Sequence, residues 1–574
     1  MTSQLKLATK AAGVRPVAAG ARPWDDVPWR SLGELLCERA QTCPEHPFTR
    51  FDPQTGDADL GYGQAWALAC RWAELFEAAD IPPGKPALLA LPNGADFVGA
   101  FFGALLAGLV PAPTIPRRSA RTVGFLSMLS ERTDRVDARV VVLPSDQQEQ
   151  ALIGRAPVVT AASLPGTARD RSPGTRGDLL GLLQFTSGTS GRSKAVQLSQ
   201  DALLFQGAAI TRALGVRPDD VGLSWLPLYH DMGLLGFLIT SAAAGCSVYL
   251  LRTEAFISRP TIWMEAVSRE RATITSAPPS AYALAARLVR PNGKRPLDLS
   301  SLRIAIMGAE RITRGALEAV RNNLVPAGFS WGALVPAYGM AEVGVAVTMT
   351  PPGRGAALET VDPVRLQRDG EARLADGEGQ DVTGCWFPLE RTEVRIVDDQ
   401  GHQLPERRVG QVLVRCPSLM RGYIGAAANN HGHVGVRDGW LHTGDQGYIS
   451  AGELYVTGRI HDLLNVGGNK YMPEEFEEVA QTLEGVRAGR VVAVARENET
   501  VGTESVVLLV ETALADADAR RQFALNIRQA LSRRSLPIGD VVFVPPKTIQ
   551  LTPNGKLPRA QYKARLLAGE FTVG

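Results

Sequence analysis

The chain has little of what holds a small or secreted protein together. Only 6 of its 574 residues are cysteine (Cys37, Cys43, Cys70, Cys246, Cys385, Cys416), and no two form a C-x-x-C pair. That scatter argues against a disulfide framework and against a thiolate zinc site, and a reducing, cytoplasmic setting is the simplest reading. The 7 histidines include no H-x-x-x-H pair; His431 and His433 stand in a Gly-rich stretch that reads as a loop. Excess charge is lacking too. Lys+Arg number 61 against 59 Asp+Glu, a formal net charge of +2, which is not the basic excess of a dedicated nucleic-acid binder. No apolar run reaches membrane length: the longest, Phe97–Val110, is about 14 residues against the roughly 20 a bilayer needs. Its glycines and alanines suit a helix packed tightly inside a domain. Lys6, Lys10, Arg15 and Arg22 are not followed by an apolar secretory core, and residues 1–22 are expected to form a flexible tail.

What is present is length, with an ordinary globular composition: 45% hydrophobic and 21% charged residues. Such a chain makes roughly three to four structural units with large cores. Helical stretches such as Gly63–Glu77 and Ala202–Leu214 alternate with short apolar strands at Pro86–Leu91, Arg139–Leu143, Ser247–Leu251 and Leu302–Met307. That order implies an α/β architecture with largely parallel sheets. Thr392–Val397 and Gln411–Arg415 read instead as a smaller β subdomain, placed at about 385–455. After Gly458 the pattern restarts. Strands at Val491–Arg496, Ser505–Glu511 and Val541–Val544 and a helix over about 518–533 predict a compact α+β unit. The expected organisation is a large N-terminal domain over 23–458, a hinge over 459–470 and a C-terminal domain over 471–574.

The most informative segment follows a strand-like run at Leu182. Thr186, Ser187, Gly188, Thr189, Ser190 and Gly191 lead to Arg192 and Lys194. Small residues let the backbone approach a phosphate, hydroxyls and amides donate to its oxygens, and Lys194 adds positive charge. A Ser/Gly surface loop is the competing reading. The run is not a P-loop, because no G-K-[ST] ends it.

Thr186–Lys194 resembles the phosphate loop of the adenylate-forming superfamily, T-S-G-[ST]-[ST]-G-x-P-K-G, with Ser193 at the proline and Ala195 at the last glycine. The family's other motifs arrive in its order. Ala337-Tyr-Gly-Met-Ala-Glu342 resembles Y-G-x-[TA]-E, and Thr443-Gly-Asp445 resembles T-G-D. Gly458-Arg459 with Asp462 resembles the G-R-x-x-D hinge, and Thr552-Pro-Asn-Gly-Lys556 resembles T-x-x-G-K. The resemblance covers the chain beyond the tail and implies the adenylate-forming fold, with a mobile C-terminal domain.

It also implies a reaction and its parts. A carboxylate and ATP would give acyl-adenylate and pyrophosphate, a step limited by charge and alignment. Lys194 and the 186–191 loop would hold the β/γ-phosphates, and Glu342 would hold Mg²⁺. Ala337, Tyr338, Gly339 and Met340 on one side, and Gly308, Ala309 and Glu310 on the other, would enclose adenine. Asp445 would accept the ribose hydroxyls, with Arg459 in support. Lys556 would bridge the α-phosphate and the attacking carboxylate; a solvated tail lysine is its alternative. His461 stands at the hinge pivot, where relatives carry Asp or Lys, and could give the rotation a pH response.

Trp225-Leu-Pro-Leu-Tyr-His-Asp-Met-Gly-Leu-Leu-Gly236 resembles the fatty acyl-AMP ligase branch. Met232, Gly233 and Leu234 are expected at an acyl-chain wall, with Gly233 and Gly236 leaving it room. His230 is expected at the carboxylate end, a core histidine being its alternative. Ser276, in Thr275-Ser-Ala-Pro-Pro279, is expected in the acyl pocket. Nearly 60 residues separate Tyr338 from the strand at Val394, and residues 352–385 match the ligase-type insertion, with Glu359-Thr-Val-Asp362 at its start. The resemblance then implies a fatty or related apolar acid as substrate and the phosphopantetheine thiol of an acyl carrier protein as acceptor, in polyketide, lipid or lipopeptide assembly. An acyl-CoA synthetase of the same fold is the first alternative. A catalytically silent nucleotide-binding interaction protein is the second.

Overall fold

A computed structural model describes residues 27–53, 56–117, 124–147, 152–169, 171–173, 179–186, 194–289, 296–424, 434–460, 464–466, 469–487, 489–498, 503–534, 536–537, 539–551 and 557–571. The tail over 1–22 and the loop carrying His431 and His433 lie outside them. The largest sheet has eight strands. In spatial order they are Thr348–Met349, Leu334–Tyr338, Ile304–Met307, Ile274–Ala277, Val221–Ser224, Ser247–Leu250, Pro47–Phe51 and Leu60–Gly61. Every pairing is parallel except the outermost one at each edge. The inner parallel strands are mostly apolar and buried, as helix-covered strands must be, while Pro47–Phe51 near the edge carries Thr49 and a part-exposed Arg50.

A second sheet orders Val110–Pro113, Pro86–Leu89, Val140–Val142, Ala156–Val159 and Leu152–Ile153. The apolar run at 97–110 is not one helix. The helix is Ala95–Leu106, and Val110 already belongs to a strand. Its glycines do seat it closely: a Cβ on Gly103 would lie 2.4 Å from Trp72 Cβ on the neighbouring helix Tyr62–Ala78. Among the described residues no helix is long and apolar enough to cross a membrane.

Three antiparallel strands, Gly422–Ile424, Lys194–Ser199 and Leu180–Thr186, form a third sheet. Glu393–Val397, Gly410–Arg415, Gly435–Arg437, Trp440–Ser450 and Glu453–Arg459 form an antiparallel sheet. Residues 352–385 are not a patternless loop. Strands Leu358–Val361 and Gln380–Thr383 pair antiparallel around the helix Pro363–Asp369. Val361, Leu366 and Val382 bury against Tyr448 and Tyr455 of the β sheet. Glu359 anchors the unit, accepting from Arg407 at 2.9 Å, Tyr448 at 3.1 Å and Ser450 at 3.1 Å.

The C-terminal region has a mixed sheet of Val491–Asn498, Thr503–Glu511 and Asp540–Val544. Alternation along these strands fills two cores, one under the helices Pro473–Gln481 and Ala517–Arg533, the other under Arg559–Leu567. The 459–470 segment, expected as a hinge, is partly structured. Leu464–Val466 pairs with Asn469–Tyr471, because Leu464 and Tyr471 have a core to enter.

Candidate active site

Several of the residues singled out in the sequence lie where the parallel strands of the large sheet end. Trp225 follows Val221–Ser224, Ser276 ends Ile274–Ala277, Gly308 follows Ile304–Met307, and Tyr338 closes Leu334–Tyr338. The carboxyl ends of an open α/β sheet are where its ligands bind. Gly308 has a steric reason: a Cβ there would stand 2.7 Å from the Ala337 carbonyl, so only glycine lets these two strand ends meet. Ala309 follows with a left-handed φ of 68°. Glu310 accepts from the Ser280 amide at 3.4 Å. Gly339 and Met340 carry the chain into the short 3₁₀ turn Ala341–Val343.

Two side-chain clusters face this edge. In the first, the Tyr338 hydroxyl donates to Asp445 Oδ2 at 2.7 Å, and Arg459 Nε lies 3.3 Å from Asp445 Oδ1. Asp445 is opposite Arg459 in the Trp440–Ser450 and Glu453–Arg459 ladder, so strand register sets this pair. The Asp445 amide donates to Thr443 Oγ1 at 3.0 Å, and that hydroxyl donates to the Val412 carbonyl at 2.7 Å. Asp445 is only 5% exposed, yet two carboxylate oxygens retain lone pairs beyond these partners. Loss of solvent, then the Asp445 carboxylate, pushes the Tyr338 phenol well above its ordinary pKa. Tyr338 is therefore a neutral donor at any working pH.

The second cluster includes a residue that sequence reasoning missed. The Tyr423 hydroxyl donates to Glu342 Oε1 at 2.7 Å, and Lys194 Nζ stands 4.8 Å from the centre of the Tyr423 ring. Burial first, then the Glu342 carboxylate, raises the Tyr423 pKa. Tyr423 lies opposite Val196 in the third sheet, and Thr186 lies opposite Lys194. That hairpin holds both ends of the Gly-rich loop. Ser187, Gly188, Thr189, Ser190 and Gly191 themselves lie outside the described residues, as do His461 and Lys556. Buried Gln206 steadies the turn after Glu342, donating to the Ala346 carbonyl at 3.0 Å and to Ser418 Oγ at 2.9 Å. Among the described residues no group of three His, Cys, Asp or Glu side chains could hold a metal. One carboxylate, Glu342, nonetheless suits Mg²⁺, which takes most of its oxygens from phosphate and water.

The Trp225–Gly236 segment is held from behind. Asn93 donates to the Leu226 and Leu251 carbonyls at 2.9 and 3.0 Å and accepts from the Leu228 amide at 2.9 Å. Gln184 donates to the Tyr229 carbonyl at 2.7 Å. Nδ1 of His230 lies 2.8 Å from Asp231 and accepts from the Met232 amide at 3.3 Å, so His230 caps the turn Asp231–Gly233. Met232 and Leu234 are buried in the main core.

Gly233 differs from expectation. The space above its Cα belongs to the Pro227 carbonyl, 2.3 Å from where a Cβ would sit. Its smallness closes the loop and makes no room for a chain. Gly236 does face space, an apolar slit of about 10 Å³ that it shares with Leu214, Phe237, Ile274 and Ile306. Ser276 is two residues along the strand from Ile274, hence on the same sheet face. It is 1% exposed, and its hydroxyl finds no hydrogen-bond partner among the described residues.

Comparison with known proteins bears on the family and the fold. The model of the AMP-binding enzyme family matches residues 36–424. A putative acyl-CoA synthetase of Caulobacter vibrioides is 35% identical over 496 residues, covering 84% of this chain and 86% of its own length. A long-chain-fatty-acid–AMP ligase of Mycobacterium marinum is 29% identical over 598 residues, covering 94% and 98%. Among solved structures, one from a study of fatty acyl-adenylate ligases of E. coli and L. pneumophila superposes with a TM-score of 0.83 at 28% identity, covering 95% of this chain and 99% of that one. The fold is thus the one shared by adenylate-forming enzymes.

Proposed function

The chain belongs to the AMP-binding enzyme family, and we propose that within it the protein is a fatty acyl-AMP ligase. It activates a fatty or related apolar carboxylic acid and passes the acyl group to the phosphopantetheine thiol of an acyl carrier protein. In the first step a carboxylate oxygen attacks the α-phosphorus of ATP, and the bond to pyrophosphate breaks. In the second the thiol sulfur attacks the acyl carbon, and AMP leaves with the shared oxygen.

Asp445 takes the ribose hydroxyls while Tyr338 and Arg459 keep it oriented. Gly308–Glu310 and Ala337–Met340 border the base. Lys194 and the hydroxyls of 186–191 hold the phosphates. Glu342, oriented by Tyr423, would hold Mg²⁺, which screens phosphate charge when bound. Lys556 brings a cation to the carboxylate and α-phosphate, where charge crowds in the transition state. His230 stands at the head of the acyl site, and Met232, Leu234 and Ser276 border its apolar part.

The observation that carries the ligase reading over acyl-CoA synthesis is the 352–385 unit. It is anchored on the β sheet through Glu359 and extends to the C-terminal region. A cavity of about 340 Å³ is bounded by its helix (Leu366–Gly370) and by Gln446, Thr457, Met472 and Glu475. An idle surface loop would do neither. A unit so placed restricts how the C-terminal domain can turn, and a large free cofactor such as CoA needs that freedom more than a tethered thiol does. The relative named as an acyl-CoA synthetase favours the alternative.

Mass spectrometry decides between them. Purified protein is given ATP, Mg²⁺ and a panel of fatty and aryl acids, with no acceptor, with CoA, or with phosphopantetheinylated carrier protein. We expect acyl-AMP without acyl-CoA, and acyl-carrier with the third acceptor. Abundant acyl-CoA would overturn the ligase reading. Unchanged adenylate formation by Lys556→Ala would overturn the role of Lys556.

A further inference from the structure

Helix Pro473–Gln481 carries four glutamates in two pairs, each three residues apart: Glu474 with Glu477, and Glu475 with Glu478. Three-residue spacing puts each pair on one side of a helix. The first pair is bound within the C-terminal region. Arg559 Nη1 meets Glu474 at 2.8 Å, and its Nε and Nη2 grip both oxygens of Glu477 at 2.8 and 2.7 Å. Glu477 also accepts from the Ala493 amide at 3.0 Å. Arg559 stands only three residues beyond Lys556 in the chain.

The second pair faces the large domain, and there it meets Arg311. This arginine directly follows Gly308-Ala309-Glu310. Its Nη2 donates to the Asp381 carbonyl at 3.0 Å, and its Nη1 lies 3.7 Å from Glu478 Oε1. The same turn is stapled to the insertion strand twice more. Arg314 Nη2 reaches the Asp381 carboxylate at 2.6 Å, and Thr383 Oγ1 donates to the Ile312 carbonyl at 2.9 Å. One guanidinium thus joins the turn at the nucleotide edge, the 352–385 unit and the C-terminal helix.

The two arginines are held very differently. Arg559 is clasped by two carboxylates, as a permanent structural arginine should be. Arg311 is 15% exposed, yet its Nη1 and Glu478 Oε1 both lack a hydrogen-bond partner among the described residues. A buried fork left partly unfilled costs stability. The Arg559 pairs are closed, and the Nη1 side of Arg311 is not.

We propose that Arg311 is a positioning residue for adenylate formation. It docks helix Pro473–Gln481 against the nucleotide-side turn, and the far side of that helix, through Arg559, ties down the chain that follows Lys556. The contact serves the first half-reaction and is given up for the second. This assignment rests on the reading above, in which Lys556 serves adenylate formation and the C-terminal domain then turns.

The test separates the half-reactions in the full-length enzyme. Arg311→Ala, Arg311→Lys and Glu478→Gln are assayed for pyrophosphate release from ATP and acid. They are then assayed for acyl transfer from supplied acyl-AMP to phosphopantetheinylated carrier protein. Misplacing a catalytic group by about 1 Å costs about 100-fold, so Arg311→Ala should lower kcat for adenylation by about 10- to 100-fold, with KM for ATP nearly unchanged. Transfer should stay within about 2-fold of wild type, and Arg311→Lys should recover part of the adenylation rate. Glu478 is 38% exposed, so Glu478→Gln keeps the test alive if Arg311→Ala does not fold, and it should shift the same half-reaction in the same direction. Parallel loss of both half-reactions, or no loss of adenylation, overturns the assignment. Wild-type protein that forms no acyl-AMP overturns the underlying reading and the assignment with it.

Discussion

The nucleotide edge and the domain junction are both rich in ionisable side chains, but they are assembled in opposite ways. At the nucleotide edge two carboxylates have neutral phenol donors: Tyr338 on Asp445 and Tyr423 on Glu342, both at 2.7 Å. Strand pairing sets both clusters, so they are formed before any ligand arrives. At the junction the carboxylates crowd together. Glu474, Glu475, Glu477 and Glu478 share one helix, and burial raises the pKa of the last three. Preorganisation suits a site that must align phosphates; an unsettled charge balance suits a contact that must open. Removing parts from the first region should therefore cost catalysis, and neutralising parts of the second should change docking.

The largest effect should come from Asp445→Ala. The substitution removes the proposed ribose acceptor and leaves Tyr338 and Arg459 without their shared partner. We expect kcat/KM for ATP in pyrophosphate release to fall by at least about 100-fold, and the unfolding midpoint to fall by a few degrees as the buried phenol loses its acceptor. If the loss is below 10-fold, the prebuilt cluster is structural and the contrast between the regions fails. Tyr423→Phe is gentler. It keeps the ring beside Lys194 and deletes only the hydroxyl that orients Glu342. Supporting donors of this kind are worth about 10- to 100-fold, so kcat/KM for MgATP should drop by about 10-fold. No change would remove Tyr423 from the site.

Residues that a short motif identifies were legible before the fold was known. Tyr338, Asp445 and Arg459 were marked by runs that resemble family motifs, and Lys194 also by the small, hydroxyl-rich residues that lead to it. The strands of the large sheet were legible because buried parallel strands are nearly all apolar. Tyr423 was not: its strand is three residues long, and its place beside Lys194 follows from pairing with a strand more than 200 residues earlier. Gly233 misled because small size has two uses, admitting a ligand or admitting the chain itself, and the Pro227 carbonyl decides between them. The pattern in 352–385 was hidden because its apolar residues are few and are completed by Tyr448 and Tyr455 from elsewhere. Arg311 was illegible for the same reason, since both of its partners come from distant segments.

The smallest effect concerns Glu475, and it tests the junction directly. Glu475 is 8% exposed, and its pKa is pushed up to about 7 from 4.5; burial drives the rise and the Arg311 charge only moderates it. The charged groups around it are Arg311 and Asp381 from the large domain, Glu474 and Glu478 on its own helix, and Arg368 and Asp369 across the cavity. An acid whose folded pKa is raised binds more protons folded than unfolded. Its contribution is thus fully present below about 4.5 and is lost as pH rises through about 7. Asp381 titrates below its ordinary value, because hydrogen bonds from Arg314 and Thr360 outweigh its burial, so it does not change charge in that window. Docking of the C-terminal domain should therefore weaken between pH 5.5 and 8. The melting temperature should fall by about 2–4 °C across that range, with faster proteolysis within 459–470. Glu475→Gln keeps the acceptor for the Met472 amide, 3.0 Å away, and removes its own titration, leaving those of Glu477 and Glu478. Its melting temperature should be flatter with pH and higher than wild type at pH 8. An unchanged slope would mean that the junction carries its charge as quietly as the nucleotide edge does.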